Sequence, residues 1–245
     1  MEFKEGSNGG QSNNFNETKL GKQSQYIGNV NTLNIITDGQ REDRVTDSGD
    51  EENEVEGTYR IFITHDEVGV PELIRKAQHH IVLHAAYYPK YGFDNQGDDL
   101  QKAMYKNTDL KLTAIFTDVE NAVWVDEFAV TLRDYFEKKG EFASHLEITK
   151  QHFVRLRKKF GSERVRIIDT ARLPMFPVIL IDDTLIVGHY AHSSVIPPNG
   201  LWITIEHPKI LTMYQDLLDG KEVKYETAEE GAILRYLEEL MVELP

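Results

Sequence analysis

Three histidines stand on or just past strand-like runs. His84 lies at the middle of the apolar run IVLHAAYY, and His189 and His192 follow the run TLIVG. An imidazole that titrates near neutrality can act as a general base, a nucleophile or a metal ligand. These three and Asp182 are therefore the candidate catalytic set. His189 and His192 lie three apart, but no HExxH or comparable ligand spacing accompanies them, so neither a metal site nor a cofactor is expected. The same residues also fit a blander role, as strand-end histidines partnered by backbone. Asp182-Asp183 fits a turn between two strands before it fits a carboxylate pair. His79-His80 ends a helical pattern, where a cation suits the helix dipole.

A second chemical feature is the run RLRKKFGSERVR, which puts Arg155, Arg157, Lys158, Lys159, Arg164 and Arg166 within 12 residues. Such a patch can steer a phosphate-bearing ligand, with Arg155, Arg157, Lys158 and Lys159 as the phosphate-binding candidates. It equally fits the solvated C-terminal end of a helix. Only Phe160 interleaves with the charges, so a stacking platform for single-stranded nucleic acid is not indicated.

The elements that must position these groups alternate between two periods. Strand patterns occur at YRIFIT, IVLHAAYY (81–88), LKLTAIFTD (110–118), VRIIDT, the two arms of PVILIDDTLIVGHY, and WITIEH (202–207). Helical spacing of apolar residues predicts helices over 71–80, 98–107, 122–140, 144–160, 208–220 and 227–244. Gly140 and Gly161 act as stops, and Thr227 with Glu230 forms a capping box. Strand and helix in alternation imply an α/β fold with a central sheet flanked by helices.

Composition narrows the class further. The chain has 245 residues, 40% hydrophobic and 28% charged, which suits a soluble globular protein. It contains no cysteine. That excludes a disulfide scaffold, a thiolate metal site and a cysteine nucleophile. No run approaches the ~18 apolar residues that span a bilayer, and the polar N-terminus lacks a signal-peptide core, so the expected location is cytoplasmic. A net charge of −14 argues against general affinity for nucleic acid or anionic lipid.

Residues 1–24 are rich in Gly, Asn, Ser and Gln and offer little apolar surface to offset ordering. Residues 41–56 hold eight carboxylates against Arg41 and Arg44, which predicts an extended, self-repelling linker. Between them lies QYIGNVNTLNI (25–35), uncharged and rich in β-branched residues, Asn and Gln. These are the ingredients of a steric zipper. The same stretch also fits a strand docked on the folded domain. The resulting domain map is a disordered tail over 1–40, an acidic linker over 41–57 and an α/β domain over 58–245.

Ile27-Gly28-x-x-Asn31-x-Leu33 resembles the RIP-homotypic interaction motif and related amyloid signalling motifs, although Tyr26 stands where that family has Gln. The resemblance implies self-assembly through Gln25, Tyr26, Ile27, Gly28, Asn29, Val30, Asn31 and Leu33. It also implies a sensor protein carrying a matching segment.

PVILIDDTLIVGHY, with the helices and strands before it, resembles one repeat of the phospholipase D superfamily over roughly residues 70–195. That resemblance implies a homodimer. In the family a His-x-Lys pair enters the strand that runs into Ile-Asp-Asp. Counting back from Asp182, the nucleophilic His falls on Met175 and the Lys on Pro177, and the family's Gly-Ser is Gly188-His189. A thioether cannot attack phosphorus as an imidazole does, and proline carries no charge to hold a phosphate. Two functions follow as expectations. One is an effector or adaptor of a bacterial defence or cell-death pathway, clustered as a homodimer or fibre through its N-terminal motif. The alternative is a nuclease or phosphodiesterase with a rearranged site, and nucleic acid enters as a partner only under that alternative.

Overall fold

The apolar runs IVLH, LTAIF and VILI become the centre of a sheet because both of their faces are covered. The computed structural model describes residues 32–35, 57–86, 96–131, 141–190 and 199–242. Among them eight strands form one mixed sheet: β1 (Thr32–Ile35), β2 (Thr58–Phe62), β3 (His80–His84), β4 (Lys111–Thr117), β5 (Val165–Thr170), β6 (Val178–Ile181), β7 (Thr184–Val187) and β8 (Trp202–Glu206). Their order is β1-β2-β8-β7-β6-β3-β4-β5. β3, β4 and β5 are parallel, and the other neighbours are antiparallel. The α/β architecture with a mixed central sheet flanked by helices is as expected.

Helices α1 (Val70–Lys76), α2 (Gln96–Lys106), α3 (Val125–Thr131) and α4 (Glu141–Phe160) precede β6, and α5 (Ile210–Leu218) and α6 (Ala228–Glu239) follow β8. Period-2 alternation divides the strands between two apolar layers. Ile81, Leu83, Ala114, Phe116 and Ile179 face Ile74, Met104, Phe153 and Leu156 from α1, α2 and α4. Val82, Ile115, Val178 and Leu180 face Met213, Tyr214, Ile233 and Leu237 from α5 and α6. Each wholly buried Leu or Ile removes enough apolar surface from water to contribute about 2 kcal/mol before entropy is counted.

The Cα register defines a row across the sheet: Ile203 beside Val187, Val187 beside Val178, Val178 beside His84, His84 beside Ile115, and Ile115 beside Ile168. The edge of the sheet beyond this row is called here the His84 end. The β6–β7 turn lies at the opposite edge, the Asp182 end, where the Asp182 N–H donates to the His80 carbonyl at 2.9 Å. Asp182 is in the left-handed region (φ 49°), which aspartate tolerates better than most residues. Its carboxylate accepts three backbone N–H groups: Gln78 at 2.7 Å, His79 at 2.8 Å and His80 at 2.9 Å. These donors are the chain's exit from α1 into β3. The helix expected over 71–80 therefore stops at Lys76, and His80 begins a strand rather than ending a helix. The described part of the long helix expected over 122–140 is Val125–Thr131.

Helix ends are finished by side chains. Thr227 accepts from the Glu230 N–H at 3.1 Å, as the capping box predicts, but Glu230 reaches back to the Glu226 N–H at 2.7 Å, one residue before the cap. Arg164 is consumed structurally. Its guanidinium donates to the carbonyls of Met104 (2.8 Å), Asn107 (2.6 Å) and Leu110 (3.3 Å), and so closes the C-terminus of α2.

Asp182→Gly keeps the backbone conformation but deletes three charge-assisted hydrogen bonds. It should lower stability by on the order of 3 kcal/mol in urea unfolding, while Asp182→Asn should cost less than half of that. Equal stability of the wild type and Asp182→Gly would refute a role for the carboxylate beyond the turn.

Candidate functional site

The His84 end collects side chains from four separate segments. His84 is the last residue of β3 and is 1% exposed. Its ring points toward the layer of α5 and α6, because it shares a face with Val82. Glu239, at the end of α6, is also buried, with Oε1 3.9 Å from His84 Nε2. Glu239 Oε1 accepts the Met175 backbone N–H at 2.8 Å, and Oε2 accepts from Arg172 Nη2 at 2.8 Å. Neither ring nitrogen of His84 has a hydrogen bond of good geometry. Burial, with the Arg172 charge second, pulls the His84 pKa down to about 4, and the Ile115 backbone opposes this weakly. The ring is neutral at pH 7.

Tyr190 closes the other face. Its hydroxyl oxygen accepts the Ala86 N–H at 2.7 Å, and its ring lies edge-on to Phe128 at 4.9 Å. Burial pushes the phenol well above its usual pKa. Gly188 is required by a close approach: a Cβ there would meet the Trp202 ring at 2.8 Å and Pro177 Cγ at 2.9 Å. Pro177 and Trp202 thus pack closely against Gly188. His65 adds an edge-on contact to Trp202 at 4.8 Å.

The sequence candidates are divided by this geometry. His84 and His189 do share a sheet end, since His189 follows Val187 by two residues and is exposed. Asp182 does not join them. It lies roughly 13 Å away along the strand, at the opposite end, with its carboxylate committed to backbone. The structure therefore groups His84 with His189 at one sheet end and leaves Asp182 at the other. His192 lies outside the described residues. His84 faces α6, and only His189 is open to solvent.

Arg155, Arg157, Lys158 and Lys159 are exposed on the last two turns of α4. They lie at the Asp182 end, remote from His84 and His189, and Lys159 Nζ sits 4.5 Å above the Tyr105 ring. Among the described residues no group of three or more His, Cys, Asp and Glu could hold a metal ion. Of the self-assembly residues, Leu33 lies in β1, opposite Ile61 of β2. Gln25, Tyr26, Ile27, Gly28, Asn29, Val30 and Asn31 lie outside the described residues.

Sequence reasoning missed Arg172, Glu239 and Tyr190. Glu239 follows Glu238 in a surface-like helix, and only the position of α6 on the sheet reveals which of the two is buried.

No model of a known protein family matches the sequence, and no curated protein does. Among solved structures the chain is similar to TrmBL2, an archaeal chromatin protein, with 11% identity and a TM-score of 0.40 over 68% of this chain and 51% of that one. It is similar to the phosphatidylserine synthase of Haemophilus influenzae, with 14% identity and a TM-score of 0.43 over 74% and 44%. A third is Nuc from Salmonella typhimurium, a phospholipase D family member, with 10% identity and a TM-score of 0.38 over 70% and 100%. The chain spans about half the length of the first two.

An imidazole with a native pKa near 4 and an ordinary value of 6.5 binds fewer protons when folded. Its contribution to stability is complete above about pH 6.5 and is lost as pH falls toward about 4, by on the order of 3 kcal/mol. His84→Leu should flatten that part of the profile in urea titrations. An unchanged slope would place the pH dependence elsewhere.

Proposed function

We propose that the folded domain is an interaction module, an effector or adaptor that works by contact, on a phospholipase D-like framework without the family's His–Lys hydrolysis. One observation carries this reading. Under the motif resemblance Met175 and Pro177 fall where that family has its nucleophile and phosphate-holding cation, and the Met175 backbone is tied to Glu239. The thioether can neither accept a proton at neutral pH nor form the covalent phosphoryl intermediate that an imidazole forms. The neighbouring imidazole, His84, is neutral but sealed from any substrate.

A nuclease or phosphodiesterase is the second reading. It is favoured by His189, which is exposed just beyond β7 at the same sheet end as His84. Clustering through residues 25–35 has a narrower base than either. Leu33 is paired within its own sheet, so a fibre through it must first strip β1 from β2.

Purified full-length protein, assayed with DNA, RNA and bis(p-nitrophenyl) phosphate with and without divalent metal, should show no turnover above buffer. His189→Ala should change nothing. Turnover that falls at least 100-fold in His189→Ala would overturn the first reading in favour of the second.

A further inference from the structure

The basic run at the end of α4 contains one aromatic residue, Phe160, and the fold brings it a second from elsewhere in the chain. Helices α2 and α4 lie side by side and run the same way, because each leads into a strand of the parallel set β3, β4 and β5. Their alignment is fixed at two points. His152 of α4 hydrogen-bonds the Gly97 backbone near the start of α2. The same number of residues further along both helices, Phe160 meets Tyr105 edge-on at 5.0 Å. Tyr105 is 58% exposed, and Lys159 Nζ lies above its ring.

Cations surround this ring. Lys102 stands one turn before Tyr105 on α2 and Lys106 directly after it, while Arg155 and Lys158 accompany Lys159 on α4, and all five are exposed. The ion pairs of this layer join Arg75 and Lys76 to Glu72, Arg75 to Asp99 and Lys150 to Asp169; among the described residues none of these pairs uses the five cations. The carboxylates nearest in sequence, Asp109 and Glu163, stand in the loops after the two helices. The Asp182 end as a whole is mixed in charge, but its other acids lie elsewhere. Asp183 is in the β6–β7 turn, two strands from β4. Glu206 belongs to β8 and the acidic stretch before Thr58 enters at β2, about 19 and 24 Å across the sheet from β4. Glu226, Glu229 and Glu230 stand at the start of α6, on the opposite layer.

We infer that the outer face of α2 and α4 binds single-stranded nucleic acid, with phosphates on Lys102, Lys106, Arg155, Lys158 and Lys159 and a base stacked on Tyr105. A phosphate that draws Lys159 off the ring gives the ammonium an ion pair and opens the ring face in the same movement. Exposed cations around an exposed aromatic ring match a ligand that alternates charge with flat π-surfaces. An acidic peptide would use the cations and leave the ring without a partner, and a duplex keeps its bases stacked on one another. The net charge of −14 makes the attraction local and sensitive to salt. The patch is at the opposite end of the sheet from His189, so a strand held here is not delivered to that imidazole. The inference names a partner class for the contact role proposed above and rests on that reading. Turnover lost in His189→Ala would sink the reading, whereas the binding assay tests the patch alone.

The test follows fluorescence anisotropy of labelled oligo-dT, about 20 nucleotides long and so longer than common single-strand sites, with the full chain at low salt. Wild type should bind with a log–log salt slope of about −3, the value for roughly four phosphates neutralised on a single strand. Lys158→Glu with Lys159→Glu should weaken binding by on the order of tenfold or more and flatten that slope. Tyr105→Ala should weaken it by on the order of tenfold with the slope unchanged, and Tyr105→Phe should bind as wild type does. Lys224→Glu, in the loop between α5 and α6, should change nothing. All these positions are exposed, and unchanged thermal melts should confirm folding. No binding at about 100 μM protein, or an equal loss in Lys224→Glu and the double variant, would overturn the inference. So would duplex DNA or poly-glutamate competing as well as oligo-dT with Tyr105→Ala silent, which would assign the patch to charge alone.

Discussion

Glu239 decides what the His84 end of the sheet can be. Its carboxylate is buried where α6 meets the sheet, and it joins the Arg172 guanidinium, the Met175 backbone and the neighbourhood of His84. A buried charge is tolerated only when its lone pairs are used, and removing a partner from such a group typically costs about 3–5 kcal/mol. The loop before β6 is therefore held by a side chain from the end of the fold, so the docking of α6 and the shape of the candidate site are one event. A neutral His84 follows from the same closure, because burial disfavours its charged form.

The opposite end shows how a catalytic-looking residue can be structural. Asp182 sits where a motif reading looks for a catalytic carboxylate. Its two oxygens instead hold three backbone amides at the start of β3. Those amides belong to the turn out of α1, which no helix or strand ladder could satisfy. The charge therefore serves to connect two elements rather than to act on a ligand. The separation of Asp182 from His84 by the length of β3 follows directly from the antiparallel pairing of β3 with β6.

Strand direction also places the basic end of α4. Helix α4 carries its cations in its last turn, as a helix C-terminus favours, and parallel β3, β4 and β5 place every helix that precedes one of them with its C-terminus at the Asp182 end. The loop that leaves the other end of β4 carries Asp118 and Glu120 with the exposed Val119 and Val123.

The α/β class, the two strands around Asp182-Asp183, the apolar cores of β3, β4 and β6, and the cap at Thr227 were all readable from local pattern, because period, turn chemistry and capping act within a few residues. Three things were not. The end of α1 at Lys76 depends on an aspartate more than a hundred positions away. The membership of Glu239, Arg172 and Tyr190 in one cluster depends on where α6 and β7 lie against β3. The assignment of His84 and Asp182 to opposite ends depends on strand direction. Sequence determined which groups exist and which local elements carry them. Tertiary structure alone decided which groups meet, because burial and long-range pairing set both distance and charge state.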